Sequence, residues 1–127
     1  MIDHVSVYVT DPAAARDLYA TALAPLGYQV VMQFPDPAAP HAVGLGVDGK
    51  PDLWLIKGEP HQKQHVAIRA ATRSAVRAFY QAATAAGARD NGAPGPRTMY
   101  HPNYYGAFVL DADGHNLEAV CHDAYLE

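Results

Sequence analysis

The sequence predicts an α+β domain of two tandem β-α-β-β-β modules, about residues 1–60 and 61–127. Three observations carry that reading. A pattern recurs at an offset of 61, matching His4–Val7 (HVSV) to His65–Ile68 (HVAI), Arg16 to Arg77, Leu18 to Phe79 and Tyr19 to Tyr80. In each copy an alternating run comes first and a run with helical spacing follows. Each helical run also has its own start and stop signals.

The elements follow in order. Ile2 to Val9 alternates, with Val5, Val7 and Val9 on one face and His4, Ser6 and Tyr8 on the other. Asp11 is an N-cap followed by a proline at the first helical position, where the missing N–H costs nothing. Ala15, Leu18, Tyr19, Ala22 and Leu23 form the apolar stripe of that helix, and Pro25 and Gly27 end it. Tyr28 to Phe34 reads as a strand and the proline-rich run Pro35 to Pro40 as a loop. Ala42 to Val47 and Leu53 to Lys57 are strands on either side of the Asp48-Gly49 hairpin signal. In the second module His65 to Ala70 is a strand. Thr72 caps a helix carrying Val76, Phe79, Tyr80 and Ala83, ended by Gly87. A short strand is expected at Ala88 to Asn91 and a loop at Gly92 to Pro96. Tyr104 to Asp111 and Asn116 to His122 are the last strands, joined at Asp113-Gly114.

Composition narrows the function. The 127 residues suit one domain, and half are apolar, enough for a core. Net charge is −4 and the nine Lys and Arg are scattered, which argues against a nucleic-acid partner. No stretch approaches the roughly 20 apolar residues of a membrane span, and no secretory signal opens the chain. The lone Cys121 forms no intrachain disulfide and reads as a small buried apolar residue, so a reducing, cytoplasmic setting is expected. No phosphate-binding glycine loop and no nucleophile elbow occurs.

The chemistry is expected on the strand face opposite the helices, which must cover Val5, Val7, Val66 and Ile68. That open face carries His4 and His65 at equivalent places, and two imidazoles related by a pseudo-two-fold can converge. Glu118 interrupts the apolar strand Leu117 to Cys121, where a carboxylate wants a cation or strong donors. Two histidines and a carboxylate leave metal positions open for water or substrate. His122 shares the parity of Glu118, and Arg69 that of His65, where it could hold an anionic substrate. His101 is a candidate acid/base on a loop over this face. Tyr104, Gly106 and Phe108 share one face of their strand, and Tyr105, Ala107 and Val109 the other. Either core packing or a pocket lining accounts for them. His115 reads as a solvated turn residue, and His41 and His61 as loop residues without a partner.

These residues resemble the vicinal-oxygen-chelate superfamily, which includes glyoxalase I, extradiol dioxygenases, fosfomycin-resistance transferases and bleomycin-resistance proteins. The likeness rests on Asp3–Asp11 (DHVSVYVTD), Gln64–Ile68 (QHVAI) and above all Phe108–Glu118 (FVLDADGHNLE), in which Ala112 replaces the proline of the usual D-P-D-G turn. The resemblance implies paired modules around a U-shaped, partly open sheet with helices outside, often completed in a homodimer. It also implies His4, His65 and Glu118 as ligands of a divalent transition metal (Zn, Ni, Mn or Fe) that chelates substrate oxygens. Three departures bear on the reaction. Trp54 falls at or beside the place of a further ligand carboxylate in glyoxalase I. Phe108 stands ten residues before Glu118, where dioxygenases and fosfomycin transferases are similar in having a tyrosine. The tail His122–Glu127 lacks an arginine for a phosphonate.

Three readings follow. The first is a metal-dependent glyoxalase-like lyase or isomerase of a small oxygenated molecule, with His101, Tyr104 or Tyr105 moving protons. The second is a binding protein of bleomycin-resistance type that sequesters a small molecule or drug, with Trp54, Tyr104 and Phe108 as an aromatic wall. The third, an extradiol-type dioxygenase, is weakened by Phe108. Arg69 and His122 complete the expected pocket.

Overall fold

A computed structural model describes residues 1–124. The last part of the tail, residues 125–127, lies outside the described residues. Strand β1 (Val5–Val9), helix α1 (Pro12–Leu23) and strands β2 (Gln29–Phe34), β3 (Ala42–Val47) and β4 (Lys50–Lys57) form the first module. Strand β5 (His65–Arg69), helix α2 (Arg73–Ala85) and strands β6 (Arg89–Pro96), β7 (Tyr105–Leu110) and β8 (Asn116–Cys121) form the second. Each module makes an open four-stranded sheet, in the orders β1-β4-β3-β2 and β5-β8-β7-β6. In each, the first strand pairs in parallel with the last, across a helical crossover, and the rest is an antiparallel meander. The expected βαβββ repeat is therefore the observed one.

Local chemistry sets the element ends. The Asp11 carboxylate accepts from the Ala14 N–H and caps α1, and the Thr72 hydroxyl accepts from Ala75 to cap α2. After α1, a single 3-10 turn at Ala24–Leu26 closes on Gly27 at φ +89°. Asp48 and Gly49 both take positive φ, 55° and 75°, as the tight β3–β4 hairpin demands.

One expectation fails in the second module. Gly92 to Pro96 is not a loop, because β6 runs on to Pro96. Its order in the sheet explains this: β6 is an edge strand, where a proline's missing N–H breaks no ladder. The irregularity survives as register shifts between Asp90 and Gly95.

Helix faces and inner sheet faces merge into one core. Val7, Tyr19, Leu23, Leu45 and Leu55 from the first module join Val76, Phe79, Val109, Leu117 and Cys121 from the second. Helices α1 and α2 also touch each other.

The modules are further tied at the turn between β7 and β8. Asp111 is 4% exposed. One of its oxygens accepts from the Tyr19 hydroxyl at 2.7 Å, across the module boundary. The other accepts from the backbone N–H groups of Asp113 and His115. Asp113 in turn accepts from both the N–H and the hydroxyl of Thr10. His115, expected in solvent, is 2% exposed. Its Nδ1 accepts from the Gln64 N–H at 3.0 Å, so its Nε2 carries the proton and donates to the Tyr8 carbonyl at 2.8 Å. A turn residue is pulled inside here because its ring saturates two backbone groups that the module junction would otherwise strand.

Two outcomes test this clasp. Asp111→Ala orphans the Tyr19 hydroxyl and two amides, and should destabilise the fold by about 2–4 kcal/mol in denaturant titration. Burial, and after it Asp111, pushes the Tyr19 phenol far above its ordinary pKa. A raised folded pKa gives stability that is complete below the unfolded value and lost as pH rises beyond it. Wild-type stability should thus fall above about pH 10, and Tyr19→Phe should flatten that fall.

Candidate functional site

Side chains alternate along each strand, so the face away from the helices is settled by the core pattern. On β8, Leu117, Ala119 and Cys121 enter the core, which turns Glu118 and Val120 to the other face. On β5, Val66 and Ile68 pack on the core, which leaves His65, Ala67 and Arg69 open. The cross-strand register places Phe108 opposite Glu118 and Gly106 opposite Val120.

Glu118 is the centre of this face. It is 1% exposed, and each carboxylate oxygen has a partner. His65 Nε2 lies 2.7 Å from Oε1, and the Tyr104 hydroxyl donates to Oε2. The His65 side chain is half exposed, at 52%, so this pair opens to solvent on the histidine side. Gly106 makes room for the phenol: a Cβ there would sit 3.2 Å from the Tyr104 ring and 3.3 Å from Oε2 of Glu118. Burial, then the bond to Glu118, pushes the Tyr104 phenol above its ordinary value. Tyr104 therefore stays protonated at neutral pH and is a hydrogen-bond donor toward Glu118.

A second group backs the first. His101 Nδ1 accepts from the Asn103 N–H, which puts the proton on Nε2, and that nitrogen donates to His122 Nδ1 at 2.7 Å. Both rings stand edge-on to Tyr104, with centroids 5.4 Å away. His101 and His122, expected separately, are thus one bonded pair that packs the phenol. Phe108 neighbours His65 at 6.3 Å.

The other expected residues lie elsewhere. His4 is half exposed and its Nδ1 meets Asp3 Oδ1 at 2.8 Å. Asp3 also pairs with Lys50. Among the described residues no third imidazole, thiol or carboxylate atom lies within 4.8 Å of both His65 and Glu118. Arg69 is 69% exposed and reaches Asp123 only at 3.9 Å. Tyr105 belongs to the opposite face from Tyr104: it meets the core and α2, with the Arg73 guanidinium 4.9 Å over its ring. Trp54 pairs with Ser6 as Glu118 pairs with Ala67, so it holds in the first module the place Glu118 holds in the second. Its indole lies over Gly44, the counterpart of Phe108, and stacks on Phe34 at 5.9 Å.

Asp111, Asp113 and His115 also lie within 4.8 Å of one another. Their atoms are committed to the clasp, and the His115 lone pair already faces the Gln64 N–H. That group is structural. A groove of about 480 Å³ runs from Thr10 and Asp11 past Gly87 to Asp113, beside the clasp and apart from Glu118.

Sequence reading missed two features. The Tyr104–Glu118 bond depends on hairpin register, though the shared parity of Tyr104 and Phe108 was its signal. Arg97, whose guanidinium lies 5.4 Å over the Phe108 ring, had no pattern to mark it.

A fold of two βαβββ modules with a histidine and a buried glutamate on its open face defines a class, and comparison with known proteins agrees. The model of the Glyoxalase/Bleomycin resistance protein/Dioxygenase superfamily matches residues 1–119, so the chain belongs to that superfamily. Among solved structures it is similar to a glyoxalase/bleomycin resistance protein from Albidiferax ferrireducens, at 20% identity and TM-score 0.77 over 94% of this chain and 97% of that one. TioX from Micromonospora matches at 22% identity and TM-score 0.72, over 94% and 96%. A glyoxalase I mutant from Zea mays matches at 20% identity and TM-score 0.69, over 94% of this chain but 46% of that one. No protein of curated function matches.

The packing gives a test. Gly106→Val should displace Tyr104 from Glu118 without unfolding the sheet. The Tyr104 phenol should then titrate closer to about 10 in an absorbance titration against wild type, with Tyr104→Phe identifying its contribution.

Proposed function

We propose that the protein is a metal-dependent, glyoxalase-like lyase or isomerase acting on a small oxygenated molecule, as a homodimer. The observation that carries this reading is Glu118: a carboxylate almost wholly buried, bonded to a half-exposed imidazole and a phenol that stays protonated. A buried charge of this kind is costly unless a cation or strong donors meet it. The donor set fits a divalent metal. His65 Nε2 and Glu118 Oε1 already converge, and both are ordinary ligands of Zn, Mn, Fe or Ni. His4 is the third ligand in this reading, supplied by a swing of its ring away from Asp3 or by the second copy.

A bound metal would polarise adjacent substrate oxygens and stabilise the anion formed when a neighbouring proton leaves. The chain's own residues do the rest. Glu118 holds the metal-side charge in place, and Tyr104 keeps its second oxygen oriented. The phenol is a proton donor within reach of the same open face, and the His101–His122 pair holds its ring. Tyr105, turned toward α2, is not part of this machinery. Trp54 supplies no carboxylate, so the first module contributes an aromatic wall in place of a fourth ligand.

That wall supports a second reading, a binding protein of bleomycin-resistance type. Phe34 and Trp54 stack nearly parallel, at 11°, and Tyr8, Met32 and Phe34 remain exposed. Such a surface suits a flat apolar ligand.

Elemental analysis of protein purified without chelator separates the two. On the enzyme reading wild type carries about one equivalent of a transition metal per chain, and His65→Ala and Glu118→Gln lose it. If His4 comes from the second copy, mixed dimers of His4→Ala and His65→Ala regain about half of the sites. Failure of wild type to take up Zn, Mn, Fe, Co or Ni from excess would sink the enzyme reading and leave the binding protein.

A further inference from the structure

Arg97 follows the edge strand β6 and is half buried. One guanidinium nitrogen donates to the Ala93 carbonyl at 2.8 Å and another to the Pro96 carbonyl at 3.3 Å. The plane lies over the Phe108 ring, and Phe108 is the cross-strand neighbour of Glu118. Two glycines clear its path: a Cβ at Gly92 or Gly95 would lie 3.2 Å from its terminal nitrogens. Its charge reaches the Tyr104 phenol, where it opposes the upward push on that group. Among the described residues Arg97 makes no ion pair. A guanidinium taken fully out of water is almost always paired. This one is partly buried and held by two carbonyls and a ring, in a chain of net charge −4, and among the described residues two of its five N–H donors meet an acceptor.

We infer that Arg97 is the anion anchor of this site, and that the substrate carries a carboxylate distal to the oxygens held at His65 and Glu118. A guanidinium fixed by its own backbone loses little freedom on binding and offers a carboxylate two parallel N–H groups. The Phe108 ring lies between chemistry of two kinds, with Arg97 5.4 Å and His65 6.3 Å from its centroid. A short chain laid along that ring would present one end to each. Arg69, which shares this sheet face, is exposed and near Asp123, and is less suited to the task. The placement of the far end rests on the metal-centre reading above; the carboxylate anchor itself does not.

Calorimetric titration with 2-oxoglutarate and 2-oxopentanoate tests it, because the two probes differ at the distal carboxylate. Wild type should bind 2-oxoglutarate at least about tenfold more tightly, the scale of a charge-assisted bidentate contact. Arg97→Gln should bring the ratio near one while leaving 2-oxopentanoate within about twofold and the melting temperature unchanged. Arg97→Lys should keep part of the preference. Metal-free protein titrated with pentanoate and pentanamide keeps the two ideas apart: loss of metal uptake defeats the metal centre, whereas a preference for pentanoate that Arg97→Gln abolishes judges the anchor. Equal binding of the probes by wild type, no binding of either, or a preference that persists in Arg97→Gln overturns the proposal.

Discussion

The structure depends on one buried carboxylate, that of Asp111. It closes the turn that reverses β7 into β8 by accepting from Asp113 and His115, and it reaches across to Tyr19 on α1. The turn it shapes places His115 against the backbone of Tyr8 and Gln64. Four segments (β1, α1, the linker before β5 and the β7–β8 turn) are thereby tied by groups that are satisfied only together. A buried polar network of this kind is stabilising when complete and costly when broken. It also sets the start of β8, and with it the parity that turns Glu118 away from the core.

Near-symmetry is the second constraint. The modules share topology and register, yet the paired positions have diverged. Where the second module has Glu118 facing Phe108, the first has Trp54 facing Gly44. The exchange is sterically coupled, because the indole fills the space that Gly44 leaves and a side chain there would collide with it. One module presents donors and charge, and the other a stacked aromatic surface. The division gives a single polar corner in place of two equal ones.

The polar corner has its most buried member, Glu118, in the middle. The His101–His122 pair packs Tyr104, Tyr104 meets Glu118, and Glu118 meets His65. The direction of the His101–His122 bond is set by a backbone amide, since the Asn103 N–H decides which His101 nitrogen carries the proton. Small residues make this possible. Gly106, Gly92 and Gly95 give up their side chains so that a phenol and a guanidinium can lie close to the strands.

Much of the fold was legible because its signals are local. The N-caps at Asp11 and Thr72, the Asp48-Gly49 hairpin and strand parity depend on neighbours a few residues away, and the offset of 61 repeated them twice. The same parity named Glu118 and His65 as companions on one face. What the sequence alone could not decide were matters of distance between segments far apart in the chain. The edge position of β6 let prolines stay in a strand. The module junction drew His115 inside. The β7–β8 register brought Tyr104 to Glu118, while strand alternation turned Tyr105 toward α2. His4 matches His65 by pattern, but in the folded chain its ring is held by Asp3. Periodicity tells which face a side chain takes, and only packing fixes which other side chains share that space.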